Sequence, residues 1–139
     1  MPVIATEWRS RRLSESGPLP TMGLDLLVHT PDGDGIAYGE KISSYSGFHE
    51  FRKAWANLLG FSLEQMDGFG GTTQWDRQPL RCFFDHSDCD GEIAWQDAEH
   101  ILAQARRDAA KLPEFDHQFQ VLMAACEAAA ASRMPVVFC

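Results

Sequence analysis

His86 and Cys89 stand three residues apart in a run that also carries Asp85, Asp88, Asp90, Glu92 and Asp97, with no lysine or arginine between Phe83 and Asp97. Imidazole, thiol and carboxylate are the side chains that ligate metal ions and move protons. The segment FFDHSDCDGEIAWQD is therefore where this chain concentrates its chemistry. Five carboxylates in fifteen residues repel one another, and a fold keeps such a cluster where a cation, a basic partner or solvent takes up the field. Asp90-Gly91 supplies a turn, because glycine reaches left-handed angles freely and aspartate bonds its own backbone two residues on.

Four chemistries fit the run. With Gly91 at the sixth place of a twelve-residue calcium loop, Asp88, Asp90 and Asp97 fall third, fifth and twelfth. His86 then takes the first place, where a carboxylate is wanted, and Asp97 is shorter than the usual bidentate glutamate. For zinc, His86 and Cys89 form an H-x-x-C half-site that Cys82, Asp85 or His100 would complete. A Cys89 nucleophile with His86 as base is the third, opposed by the negative surround, which raises a thiol's pKa. The fourth is structural: Asp85 or Asp88 accepts backbone N–H groups, His86 is a hydrogen-bonded loop histidine and Cys89 packs as a small hydrophobe. It is compatible with exposed carboxylates meeting a basic protein surface. The candidate binding set is Asp85, His86, Ser87, Asp88, Cys89, Asp90 and Glu92, joined by Tyr45 and His49. His86, Asp88 and Asp90 are the candidate metal ligands, for calcium or zinc. No other cofactor and no catalytic residue is assigned.

The charge balance narrows the partners. The formal net charge is -8 over 139 residues. Arg9, Arg11 and Arg12 against Glu7 and Glu15 make residues 1–21 net positive, which leaves nine basic against eighteen acidic side chains in residues 22–139. Phosphate backbones need a basic face, so nucleic acid is an unfavourable partner and a cationic protein surface a favourable one. No apolar run approaches the roughly 18 residues that span a bilayer, and the first 21 residues lack a signal peptide's apolar core. A cytoplasmic protein with reduced thiols is the expectation, since the four cysteines form no CxxC pair.

The elements that must position these groups follow from periodicity. Residues 1–21 are Arg- and Ser-rich and end in Gly17-Pro18-Leu19-Pro20, which reads as a flexible arm. Residues 22–139 then form a single domain. Residues 23–30 and 36–43 read as a hairpin about the turn Pro31-Asp32-Gly33-Asp34-Gly35. Ser46 is expected to cap a helix from Phe48, with Phe48, Phe51, Trp55, Leu58 and Leu59 as its buried stripe and Gly60 as its C-terminal stop. Residues 61–79 show no period, and their Gly68-Phe69-Gly70-Gly71 lacks the Lys-Ser/Thr of a phosphate loop. A buried strand over 80–84 and helices over 95–112 and 114–132 follow, with Asp108 on an outward face, and then a last strand at 135–138. The order β-β-α-loop-β-α-α-β predicts an α+β domain, a small mostly antiparallel sheet of about four strands covered by three helices.

Gly23-Leu24-Asp25, the run Ser44-Tyr45-Ser46-Gly47-Phe48-His49-Glu50-Phe51-Arg52 and above all His86-Ser87-Asp88-Cys89-Asp90-Gly91-Glu92 resemble a family of small bacterial and phage-borne proteins with an HSDCDGE motif. Some of its relatives look like immunity proteins of polymorphic toxin systems, which neutralise a cognate toxin by binding it. The likeness covers residues 22–139 and is tightest in the HSDCDGE segment. Where the family pattern has a Ser or Thr capping the helix after that segment, Ala94 stands here. The resemblance implies a protein-binding, immunity-like module acting through its acidic loop on a toxin with a basic surface. The alternative is a divalent-metal-binding protein or metal-dependent hydrolase using the same loop.

Overall fold

The computed structural model describes residues 23–76, 80–85 and 91–139. The expected N-terminal arm and the residues His86, Ser87, Asp88, Cys89 and Asp90 lie outside the described residues. Strands β1 (Gly23–His29) and β2 (Ile36–Ser44) form the hairpin, with β4 (Val136–Phe138) on the other side of β1 and β3 (Gly91–Ile93) beyond it. The sheet has the order β2-β1-β4-β3, and every pair is antiparallel. Asp32 serves the hairpin turn: its carboxylate accepts from the Thr30 hydroxyl and from the Asp34 N–H at 3.0 Å. Those hydrogen bonds, that of Thr30 first, hold its pKa below the ordinary carboxylate value.

Three long helices cover the sheet: α1 (Tyr45–Leu59), α3 (Trp95–Asp108) and α4 (Asp116–Ser132). A fourth, α2 (Arg81–Phe84), is a single turn. The sheet directs Leu24, Leu26, Val28, Ile42, Ile93, Val136 and Phe138 into one core with the buried sides of the helices. Its other face carries a small cluster of Leu27, Ile36 and Val137. This is the α+β architecture that the pattern of elements implies.

The local differences from expectation have identifiable causes. Helix α1 starts at Tyr45 rather than Phe48, because Ser44 and not Ser46 provides the cap by accepting the Gly47 N–H at 3.0 Å. Gly47 leaves room for this, since a Cβ there would lie 2.1 Å from the Ser43 hydroxyl oxygen. Gly60 does end α1, at φ 100°, with its N–H turned back to Ala56 and Asn57. Leu58 is 40% exposed and does not belong to the buried stripe.

The expected strand over 80–84 is the helical turn α2. Phe83 and Phe84 are both fully buried. Helix α1 and the loop after it surround the turn with Phe48, Phe51, Trp55 and Phe61, which take up both rings without a pleated backbone. The strand is displaced to Gly91–Ile93, inside the stretch read as loop. Helix α3 stops at Asp108 and passes through two 3-10 turns, the second beginning at Pro113, which cannot extend a helix.

Ala94 holds the N-cap position of α3 in extended conformation (φ -61°, ψ 148°) and supplies no side-chain cap. Ala94→Ser is therefore expected to stabilise the domain by about 1 kcal/mol. In a thermal melt this is a rise of roughly 3–5 °C. An unchanged or lowered melting temperature would show that the orphan N–H groups of this helix are already satisfied.

Candidate functional site

The acidic segment is held at both ends. Its N-terminal end leaves α2 at Asp85, and its C-terminal end enters β3 at Gly91, which pairs with Phe138. The short helix α2 has carbonyls with no partner inside the helix, as every helix end does. Arg52 supplies one: its Nη1 donates to the Phe84 carbonyl at 2.9 Å and, more weakly, to that of Phe83 at 3.4 Å. Arg52 is fully buried. Its guanidinium carbon also lies 4.6 Å from the centre of the Phe48 ring and 5.3 Å from that of Phe69. One cation thus joins α1, the 61–76 loop and the residues immediately before Asp85.

Tyr45 and His49 sit on the same helical stripe as Arg52, two turns and one turn earlier respectively, and both are half-buried. The His49 ring stacks on Phe69 with centroids 6.5 Å apart and planes inclined by 25°. Phe69 in turn meets Trp75 edge-on at 5.9 Å. The structure therefore brings His49 and Tyr45 to the side of α1 that holds the base of the acidic segment. Asp85 is exposed and pairs with Arg81 at 3.3 Å, and Glu92 is exposed on β3 opposite Val137. The remaining candidates, His86, Ser87, Asp88, Cys89 and Asp90, lie outside the described residues.

Two groups carry weight that the sequence reading did not assign. Arg52 enters the sequence analysis only as one residue of a motif. Its position, four after Phe48 and three before Trp55, places it on the buried stripe, and that spacing is the signal. Asp108, expected outside, is 2% exposed. Its Oδ2 accepts from Trp55 Nε1 and from Gln104 Nε2, both at 2.8 Å, and Lys111 Nζ approaches Oδ1 at 3.5 Å. These contacts fix the far end of α1 against α3.

Two of the described thiols, Cys82 and Cys126, are held in the neutral form by their surroundings. Cys82 is pushed up to about 11, by burial first and then by the charge of Asp97. Cys126, fully buried, is pushed up to about 12, again mainly by burial. Cys82 and Cys126 are free thiols. Among the described residues no three His, Cys, Asp or Glu side chains gather as a metal site, and no helix is long and apolar enough to cross a membrane. No protein-family model, curated protein or solved structure matches the chain.

Proposed function

We propose that the protein is a binding module of the immunity type, which recognises a cationic protein through the acidic segment 85–92 and the aromatic loop beside it. The observation that carries this reading is the placement of Arg52. Recognition by two separate loops needs them held in fixed relation before the partner arrives, since ordering them on contact subtracts from affinity. Arg52 provides such a tie, from the Phe69 ring of one loop to the Phe83 and Phe84 carbonyls at the root of the other. The net charge of -8 and the exposed carboxylates of Asp85 and Glu92 give the surface the sign that a basic partner requires.

The test uses the product of the neighbouring reading frame as partner, coexpressed for growth rescue and titrated by calorimetry. Asp88→Asn with Asp90→Asn is expected to weaken binding at least about tenfold. Raising ionic strength from about 0.05 to about 0.3 M should weaken the unaltered protein more than the variant. Equal affinities for the two proteins would reject the reading. Stoichiometric calcium or zinc in the purified protein, lost together with His86 or Asp88, would replace it by the metal-binding alternative.

A further inference from the structure

Where α1 ends at Gly60, the chain turns into the 61–76 loop and leaves a cleft of about 430 Å³ between the two. Asn57, Phe61, Ser62, Gln65, Met66 and Thr73 line it. That volume lies within the range of small-molecule sites. In a chain with twenty carboxylates and twelve basic side chains, this lining contains none. Of the acidic residues that flank the lining in the chain, Glu64 is paired with Lys53 at 2.9 Å and Asp67 is exposed outside the lining. An ion placed here would meet no opposite charge from the lining side chains, whereas a neutral ligand needs none.

The rim is two carboxamides and two hydroxyls. None of the Asn57, Ser62, Gln65 or Thr73 side chains bonds to another group among the described residues. An amide offers both donor and acceptor, and so does a hydroxyl, which matches the dual character of ligand hydroxyls. The apolar part is Phe61 with Met66. The Phe61 ring is fixed edge-on against Phe84 at 5.2 Å and Trp75 at 6.2 Å, so it stands as a rigid platform for an aliphatic C–H face.

Backbone hydrogen bonds within the loop fix the shape of the cleft. The Thr73 N–H donates to Gln65 O at 2.9 Å, the Asp67 N–H to Thr73 O at 2.8 Å, and Trp75 Nε1 to Asp67 O at 2.9 Å. Gly71 packs so closely that a Cβ there would lie 2.1 Å from the Gln65 carbonyl oxygen. A site shaped in advance loses little ordering entropy on binding.

From these features we infer that the cleft binds a neutral polyhydroxylated small molecule, one sugar ring stacked on Phe61 with its hydroxyls bonded to Asn57, Gln65, Ser62 and Thr73. The inference uses Asn57 and the polar groups of the 61–76 loop and does not rest on the partner proposed for the acidic segment.

The experiment titrates the 15N-labelled full chain with methyl β-glucoside, N-acetylglucosamine and maltotriose. The charged analogues glucuronate and glucosamine serve as comparisons. At least one neutral sugar is expected to shift the Asn57 and Gln65 side-chain amide signals saturably, with a Kd on the order of 1 mM. Gln65→Ala, a change on an exposed side chain, should weaken that binding about fivefold to tenfold without moving the melting temperature. Three results each overturn the inference: no saturable shift for a neutral sugar up to about 100 mM, tighter binding of either charged analogue, or binding unaffected by Gln65→Ala.

Discussion

Arg52→Met is expected to lower the unfolding free energy by about 3–5 kcal/mol. Methionine keeps most of the side-chain length and apolar stem, so little of the loss is a cavity. What disappears is the donor to the Phe83 and Phe84 carbonyls and the cation between the Phe48 and Phe69 rings. Each buried acceptor left unpaired costs about 1–3 kcal/mol, and a desolvated cation–π contact contributes up to about 2. Arg52→Lys should recover only part of this, because an ammonium is a compact point charge without the planar fork that reaches two carbonyls while stacking on rings. Urea unfolding of the three proteins measures the series. A loss below about 1 kcal/mol for Arg52→Met would mean that α2 holds its position through ring packing alone. The same variant should weaken the proposed partner binding even where the protein remains folded, since the two loops lose their common tie.

Asp108→Ala is expected to cost about 2–4 kcal/mol at neutral pH, by leaving the buried Trp55 Nε1 with no acceptor and removing that of the half-buried Gln104 amide. Burial by itself raises the Asp108 carboxyl. The bonds from Trp55, Gln104 and Lys111, with the charge of Lys111, outweigh burial and hold it below the ordinary carboxylate value. A carboxyl with a depressed native pKa contributes stability that is fully present above its unfolded pKa, near 4, and is lost as pH falls through the native value. The stability of the unaltered protein should therefore decline on acidification below about pH 4, and Asp108→Asn should decline less steeply over the same interval. Denaturant midpoints across that interval check the sign. Parallel curves for the two proteins would show that Asp108 is not the group that titrates.

Both residues mark the boundary of what composition and spacing reveal. The hairpin was readable because two apolar runs flank Asp32-Gly33-Asp34-Gly35, a turn written in local chemistry. Helix α1 was readable because Phe48, Phe51 and Trp55 recur at its period. Residues 80–84 were not, since LRCFF is apolar whether pleated or helical, and the aromatic shell that selects the helical turn comes from residues far away in the chain. The three-residue strand at Gly91–Ile93 is set by pairing with Val136–Phe138 and has no local pattern of its own. Asp108 looked like a surface residue beside Arg107, and only its docking beneath Trp55 makes it internal. Of the candidate site, the exposure of Asp85 and Glu92 and the shared stripe of Tyr45 and His49 follow from helical and strand geometry. Arg52 was legible in principle, as a cation on an apolar stripe.

Strand β4 lies between β1 and β3, although it is made last of the four. A nascent chain that has emerged from the ribosome only as far as α4 carries the β1–β2 hairpin but has no lodging for Gly91–Ile93. The downstream anchor of the acidic segment is thus fastened only after the two helices that follow it in the chain have been made. Loop-closure entropy makes such a late, distant pairing slow relative to local helix formation. The proposed recognition surface then comes into being in one step, with the arrival of residues 136–138, and does not form gradually on the growing polypeptide.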